Sequence, residues 1–339
     1  MSVTQNEIAR ITGLSRSTVS TILAGKFAQN YSKETRRLVL EIARRLDYRP
    51  NRQALTLKTG KSDIIGVVHT GSILPLTHQK IAETVKAITE RGLEPLVYHN
   101  VWFENSKGIV DILLANKVHG VVLINSYYKK GRSKDLQRLL KTVRVVQCGG
   151  YKAPGIPLVG PDKVSDIRTC VQHLASRGHR EIHMMSTGKN YPTVNPVDAF
   201  TSLFEEPPFR HIRHHFLDIT GVPESHADPY ATGAKAFDIL EKIRKGPCAV
   251  ICHDDNAAIS LYLRCLSAGV RVPEDIAIVG SDNLVLGKRL PSPLTTAEQP
   301  VAAMSRRTVE LLMQPEYDPD AMELIPSKLI VRDSCRAGG

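Results

Sequence analysis

Residues 4–25, TQNEIARITGLSRSTVSTILAG, decide how the first part of this chain is read. Thr4 and Glu7 stand at the spacing of a capping box, so a helix starts there. Ile8, Ala9 and Ile11 supply its apolar side, and Gly13 ends it, where a turn between helices needs a positive φ. Ser15 is placed to cap a second helix, whose Val19 and Ile22 face inward. Ala9 is small enough to let that helix come close. A small residue, a Gly four positions on, and apolar residues six and nine beyond the Gly make the helix-turn-helix pattern. Two helices packed for structure alone would show the same bare pattern, so charge and context must decide.

Residues 31–48, YSKETRRLVLEIARRLDY, add a third helix capped by Ser32. Leu38, Ile42 and Leu46 recur every four residues, and Val39 and Ala43 fill the stripe. Arg36, Arg37, Arg44 and Arg45 lie opposite. Pro50 stops this helix. Ala54 to Lys58 has room for one helical turn, too short to be stable alone. Residues 1–61 hold twelve Lys and Arg against four acids, so +8 of the chain's net charge of +11 sits there. A small basic head on a near-neutral body is the footprint of a nucleic-acid binder. Without a motif, the same charge would read as a solvated basic face.

From Ile64 onward, IIGVV, LEPLVYH, GVVLI, VRVVQC, EIHMMS, AVICH and IAIVGSD read as strands. THQKIAETVKAITERG, KVSDIRTCVQHLASRG, YATGAKAFDILEKIRKG, DNAAISLYLRCLSAG and VAAMSRRTVELLM read as helices. Such alternation means parallel sheets covered by helices on both faces.

IARITGLSRSTVSTIL, YSKETRRLVLEIARRLDYRPN, LTLKTG and IIGVV resemble the lactose-repressor (LacI/GalR) family of bacterial regulators in text, order and spacing. ASRGHREI, GVRVPEDIAIVGSDN, SPLTTAEQPVAAMSRRTVELL and LIVRDS extend the resemblance over nearly the whole chain. It implies an α + α/β fold: an N-terminal helix-turn-helix headpiece with a hinge helix, then two doubly wound parallel-sheet subdomains of periplasmic-binding-protein type. The implied divisions are a DNA-binding domain at 1–49 and a hinge helix and linker at 50–61. An effector N-subdomain follows at 62–162 plus 296–324, and a C-subdomain at 163–295 plus 325–339.

By that resemblance the second helix enters the major groove, with Arg16, Ser17 and Thr21 toward the bases. Arg16 suits a bidentate contact with a guanine edge. Relatives commonly carry Arg at the position of Thr21 and Asn at that of Ala24, so base preference departs there. Thr18, Ser20, Asn30 and Tyr31 are phosphate or sugar contacts, although Thr18 and Ser20 also read as exposed or capping hydroxyls. Leu57 falls where the family wedges a leucine into the central minor-groove step, and Lys58 follows into phosphate contact. Leu55 replaces a common Arg or Gln. A hinge that orders only on DNA is open to control from the body.

The resemblance also implies a ligand cleft between the subdomains. Its candidates are Leu76, Thr77, Ser126, Tyr191, Asn195, Asp254, Asp282 and Gln299, set mostly at strand C-termini or in adjoining loops. Asp282 accepts from ligand hydroxyls or amines, or caps a turn. Asp254 stands where Asn is usual, and Asp255 reads equally as an N-cap. Leu76 and Thr77 replace paired aromatics. Many relatives carry an Arg four residues before the Phe of the next helix; here that position is Pro196. A carboxylate or phosphate ligand loses its partner, while Asp254 and Asp282 add negative charge. The expectation is a neutral or cationic polyol-type ligand such as a sugar, or an altered or lost ligand response.

Enzyme signatures are missing. TGKS at 59–62 lacks the earlier Gly of a P-loop, and no G-x-S-x-G or H-E-x-x-H occurs. RHIRHHF at 210–216 reads as a basic surface strand rather than a metal site. The six Cys are scattered and read as buried thiols, in a reduced cytoplasm and beside the nucleoid. No signal peptide and no long apolar run is seen. The implied protein is a ligand-controlled repressor of carbohydrate genes without cofactor or metal. Its partners are palindromic double-stranded operator DNA, a small-molecule effector and a second copy of itself. The helix near His78 supplies the dimer face, and no leucine-heptad tail builds a tetramer. The rivals are a transport-type sugar-binding protein and an α/β enzyme acting on sugars.

Overall fold

The computed structural model describes residues 3–25, 30–48, 62–69, 74–99, 107–126, 134–186, 196–219 and 231–335. The chain divides into two compact units, Met1–Ser62 and Asp63–Gly339. Leu57 and Lys58, with the rest of the expected hinge, lie outside the described residues, as do Tyr191 and Asn195.

In the first unit, α1 (Gln5–Thr12), α2 (Arg16–Leu23) and α3 (Lys33–Arg45) each begin on a side-chain cap. Thr4 Oγ1 accepts from Glu7 N at 3.3 Å, Ser15 Oγ from Thr18 N at 3.1 Å, and Ser32 Oγ from Thr35 N at 3.1 Å. Each cap satisfies a backbone donor that the first helical turn leaves open. Gly13 takes φ 69° and turns α1 into α2. Ile8, Val19, Ile22, Val39 and Ala43 form the buried centre. Two apolar residues read as core are not. Ile11 is 46% exposed, because it lies about 60° round the axis from Ile8, past the contact with α2 and α3. Leu38 is 44% exposed, because α3 centres on Val39 and Ala43, with Ile42 and Leu46 flanking.

The second unit carries two sheets. The first lobe contains β1 (Ile64–His69), α4 (Pro75–Thr89), β2 (Glu94–His99), α5 (Lys107–Ala115), β3 (Gly120–Ser126), α6 (Lys134–Thr142), β4 (Arg144–Gly150) and β5 (Leu158–Pro161). The chain then passes through α7 (Lys163–Ser176), β6 (Glu181–Ser186), α8 (Pro196–Leu203), β7 (Arg213–Asp218), α9 (Ala231–Ile243), β8 (Cys248–Cys252), α10 (Asp255–Ser267), β9 (Ile276–Ser281) and β10 (Thr295–Glu298). It returns through α11 (Val301–Met313) and β11 (Met322–Ile325), and re-enters the second sheet with β12 (Lys328–Ile330).

The strand order is β11-β5-β4-β3-β1-β2 in the first sheet and β12-β10-β9-β8-β6-β7 in the second. All pairings are parallel except β10 with β12. Each sheet is therefore doubly wound, and its order reverses between β1 and β3 or between β6 and β8. Runs such as CAVIC and IAIVGS are buried throughout, as strands covered on both faces must be.

The expected return to the first lobe at residue 296 falls inside β10, which pairs with β9 in the second sheet. The chain crosses back only after Glu298, because Thr296 and Ala297 are still hydrogen-bonded partners of Gly280 and Ser281. Likewise Ile325, assigned to the C-subdomain, still pairs with Pro161 in the first sheet. The histidine-rich stretch becomes β7, an edge strand, where His214 stacks on Phe204 at 4.0 Å. No group of metal-ligating side chains occurs among the described residues, and no helix there is long and apolar enough to cross a membrane.

Candidate functional site

The headpiece presents α2 with its N-terminal turn exposed. Arg16 and Ser17 are exposed, and Thr18 and Thr21 half-buried. Three hydroxyls in this turn bond locally. Ser17 Oγ lies 2.7 Å and Thr18 Oγ1 2.9 Å from Ser15 Oγ, and Thr21 Oγ1 donates to the Ser17 carbonyl at 2.9 Å. Thr18 thus supports the cap as well as facing outward, and Thr21 keeps only acceptor capacity for a base. Arg16 is the charged, outward group of the set. Asn30 is exposed, whereas the Tyr31 ring packs against the headpiece core.

In the body, β9 ends at Ser281 and the chain turns through Asp282 and Asn283 at φ 115° and 55°. Non-glycine residues seldom occupy that region, and such outliers collect at functional sites. Asp282 is 9% exposed, and its Oδ1 accepts from Gln299 Nε2 at 2.7 Å. Burial pushes its carboxyl up to about 8; Lys163 and Lys80 pull it down, and Asp254 and Asp255 add to the rise. At neutral pH the group is therefore largely protonated and can donate as well as accept. Burial thus works against the negative charge expected of Asp282 in the cleft.

The neighbouring acids have structural work. Asp254 Oδ1 accepts from Ala257 N at 2.8 Å, so Asp254 is the N-cap of α10. Asp255, read as a possible cap, is instead fully buried. It accepts from Leu284 N and Thr296 Oγ1, each at 2.7 Å, tying α10 to the Asp282 turn and to β10. Burial raises its carboxyl to about 7.

On the first lobe, Leu76 is half-buried and Thr77 buried. Asn125 Nδ2 donates to Thr77 Oγ1 at 2.9 Å, and Lys80 Nζ donates to Asn125 Oδ1 at 3.0 Å. Ser126 is the last residue of β3. Lys80 was not foreseen. It is 3% exposed, burial lowers its ammonium pKa, and its amine lies against Gly149, whose φ of 69° and missing side chain leave it room. A lysine one turn along from Thr77 was the available signal, but helical spacing alone does not say that it points inward. Lys163, also missed, begins α7 and donates from Nζ to Ser281 Oγ at 3.0 Å.

The site thus gathers Asp282, Gln299, Ser281 and Lys163, and Lys80 lies near enough to act on the Asp282 charge. Beside them a cavity is lined by His253, Ser281 and Pro196, sequence neighbours of three candidates, but by none of Leu76, Thr77, Asp254, Asp282 or Gln299. No side chain of this set carries a guanidinium, and Pro196 is buried at the start of α8.

Residues 4–51 match the bacterial regulatory proteins of the lacI family, and residues 171–335 match the periplasmic binding protein-like domain. Catabolite control protein A of Staphylococcus xylosus is 26% identical over 351 residues, covering 99% of this chain and 100% of its own. The HTH-type transcriptional repressor PurR of Vibrio cholerae is 24% identical over 340 residues, covering 98% of both. The Lac repressor dimer bound to operator and the anti-inducer ONPF superposes with a TM-score of 0.78 at 22% identity, covering 99% of this chain and 100% of that one. That likeness speaks for the fold. The relatives are transcriptional regulators rather than enzymes. With head and body both matched in order, the chain belongs to the lacI family of bacterial regulatory proteins, and it is a DNA-binding transcriptional regulator with a ligand-binding domain.

Proposed function

We propose that the protein is a homodimeric repressor in the cytoplasm that binds a palindromic operator and answers to a small, uncharged sugar- or polyol-type ligand between its lobes. Arg16 carries this reading. It is the exposed cation at the start of α2, in the turn that reads base edges when such a helix lies in the major groove. Ser17 and Thr21 complete the base-facing set; Thr18, Asn30, Tyr31 and Lys58 position the head on the backbone, and Leu57 wedges the minor groove. Asp282 and Gln299 hold the ligand from one lobe and Thr77 borders it from the other. A largely protonated Asp282 and the absence of a cleft Arg favour an uncharged ligand over a phosphate or carboxylate. Structures of relatives in complex with cellobiose and with D-xylulofuranose support the sugar class. Ligand-driven change in the lobes would bias order in the hinge and so operator affinity.

The test is operator binding by Arg16→Ala, using sites recovered by genomic footprinting. A bidentate Arg–guanine pair carries about 1–3 kcal/mol of discrimination. The variant is expected to lose about ten- to hundredfold in operator affinity and to keep its affinity for random DNA. Unchanged discrimination between the two DNAs would refute the assignment.

A further inference from the structure

The stretch RHIRHHF at 210–216 belongs neither to the headpiece nor to the cleft. It leads into β7, which ends the second sheet and pairs, among the described residues, with β6 alone. Arg213 N donates to the Arg180 carbonyl at 2.9 Å, and Ile219 N to the Ser186 carbonyl at 3.2 Å. The N–H and C=O of one strand residue point the same way, so the odd-numbered residues of β7 bond to β6. The backbone groups of His214 and Phe216 therefore face outward, and no described strand takes them. Such a row is a template for another strand. The first sheet guards its β2 edge with Pro95, whereas β7 contains no Pro.

The side chains of β7 say what would fit. On one face, His214 stacks on Phe204 and Phe216 packs on the same apolar core. On the other face, Arg213 is bound to Glu181, and His215 is exposed over the buried His183, with ring centroids 5.5 Å apart. Arg180 and Arg210 flank the start of the strand, and both are exposed. Their guanidinium groups bond to the carbonyls of His179 and Glu205 and to no carboxylate among the described residues. One face of the edge is thus apolar, and the other is polar with cations at its entrance.

We propose that β7 accepts, as an added strand, an extended segment of a partner protein in which acidic and apolar residues alternate. Its carboxylates lie on the side of Arg213 and His215, within the field of Arg180 and Arg210, and its apolar side chains lie against His214 and Phe216. Main-chain hydrogen bonds give the affinity, and the alternating side chains give the specificity. No residue assigned to DNA or to the effector takes part, so this surface goes beyond operator and ligand recognition.

The experiment is fluorescence anisotropy on the full-length protein with labelled peptides about eight residues long. One alternates Glu and Val, a second alternates Lys and Val, and a third is the Glu-Val peptide N-methylated throughout. The Glu-Val peptide is expected to bind saturably and the Lys-Val peptide not to bind. N-methylation should weaken binding about tenfold or more, the worth of two or more lost hydrogen bonds. The basic head attracts both acidic peptides alike, so the difference between them reads the edge. His214→Pro should abolish that difference with the fold intact by circular dichroism, because the lost N–H faces outward. Arg210→Glu, which leaves the backbone untouched, should weaken the Glu-Val peptide and admit the Lys-Val peptide. No saturable Glu-Val binding, equal affinity for the N-methylated peptide, or wild-type affinity in His214→Pro would overturn the proposal. So would assembly beyond a dimer that His214→Pro dissolves in analytical ultracentrifugation, since the edge would then belong to a second copy of the chain. The readout needs no DNA, so failure of operator recognition and failure of the edge remain separate results.

Discussion

At the scale of single residues, the decisive side chains are those whose burial changes their chemistry. Asp282 was legible as a cleft acid from GSDN after an apolar strand, but its protonation state was not. That depends on the closing of Gln299, Ser281 and the lobe junction around it, which no local pattern encodes. The consequence is a pH dependence of definite sign. The folded-state carboxyl titrates at about 8, well above about 3.9 in an unfolded chain. Between those values the folded state holds a proton that the unfolded state has released. Stability associated with this group is therefore complete below about pH 4, declines as the pH rises through the window, and is lost above about pH 8. Lys163, Lys80, Asp254 and Asp255 all face it, so the clean measurement is a difference. The melting temperature of wild type minus that of Asp282→Asn should fall from about pH 5 to about pH 8. A difference that stays constant across that range would sink the assignment.

At the scale of elements, local signals performed well where they were local. Thr4, Ser15 and Ser32 each cap the helix expected of them, because a cap needs only its own next three residues. The same logic misjudged Ile11 and Leu38, since which side of a short helix is covered depends on its neighbours. Strands β5, β10, β11 and β12 went unread because three or four residues carry no usable period. The contact between β9 and α10 shows what tertiary closeness demands. A Cβ at Gly280 would stand 2.1 Å from Asp255 Oδ1 and 2.9 Å from the Leu294 side chain. Asp255 cannot retreat without releasing Leu284 N and Thr296. Gly280→Ala should therefore destabilise the body by about 1–3 kcal/mol, read as a lower midpoint in urea with an unchanged slope. An unchanged midpoint would show that the contact is soft.

At the scale of the whole molecule, a basic head and a two-lobed body are joined in sequence through residues 49–61. The expected wedge, Leu57, belongs to this scale because its effect requires two copies on one operator. Leu57→Ala should lose most of the ratio of operator to random-DNA affinity in a gel shift while the head still folds. A variant with the wild-type ratio would remove the hinge from the mechanism. The sequence alone determined that there is a helix-turn-helix head, that alternating strands and helices follow it, and that this order resembles the lacI family. Those features rest on capping, periodicity and charge placement, which act over a few residues. Only the tertiary structure decided where the lobes exchange strands, that Lys80 reaches Asn125 across the first lobe, that burial raises the Asp282 carboxyl, and that Ser186 Oγ is buried without a partner among the described residues. Each depends on groups far apart in the chain being brought together and dehydrated, and burial, unlike periodicity, is a property of the assembled fold.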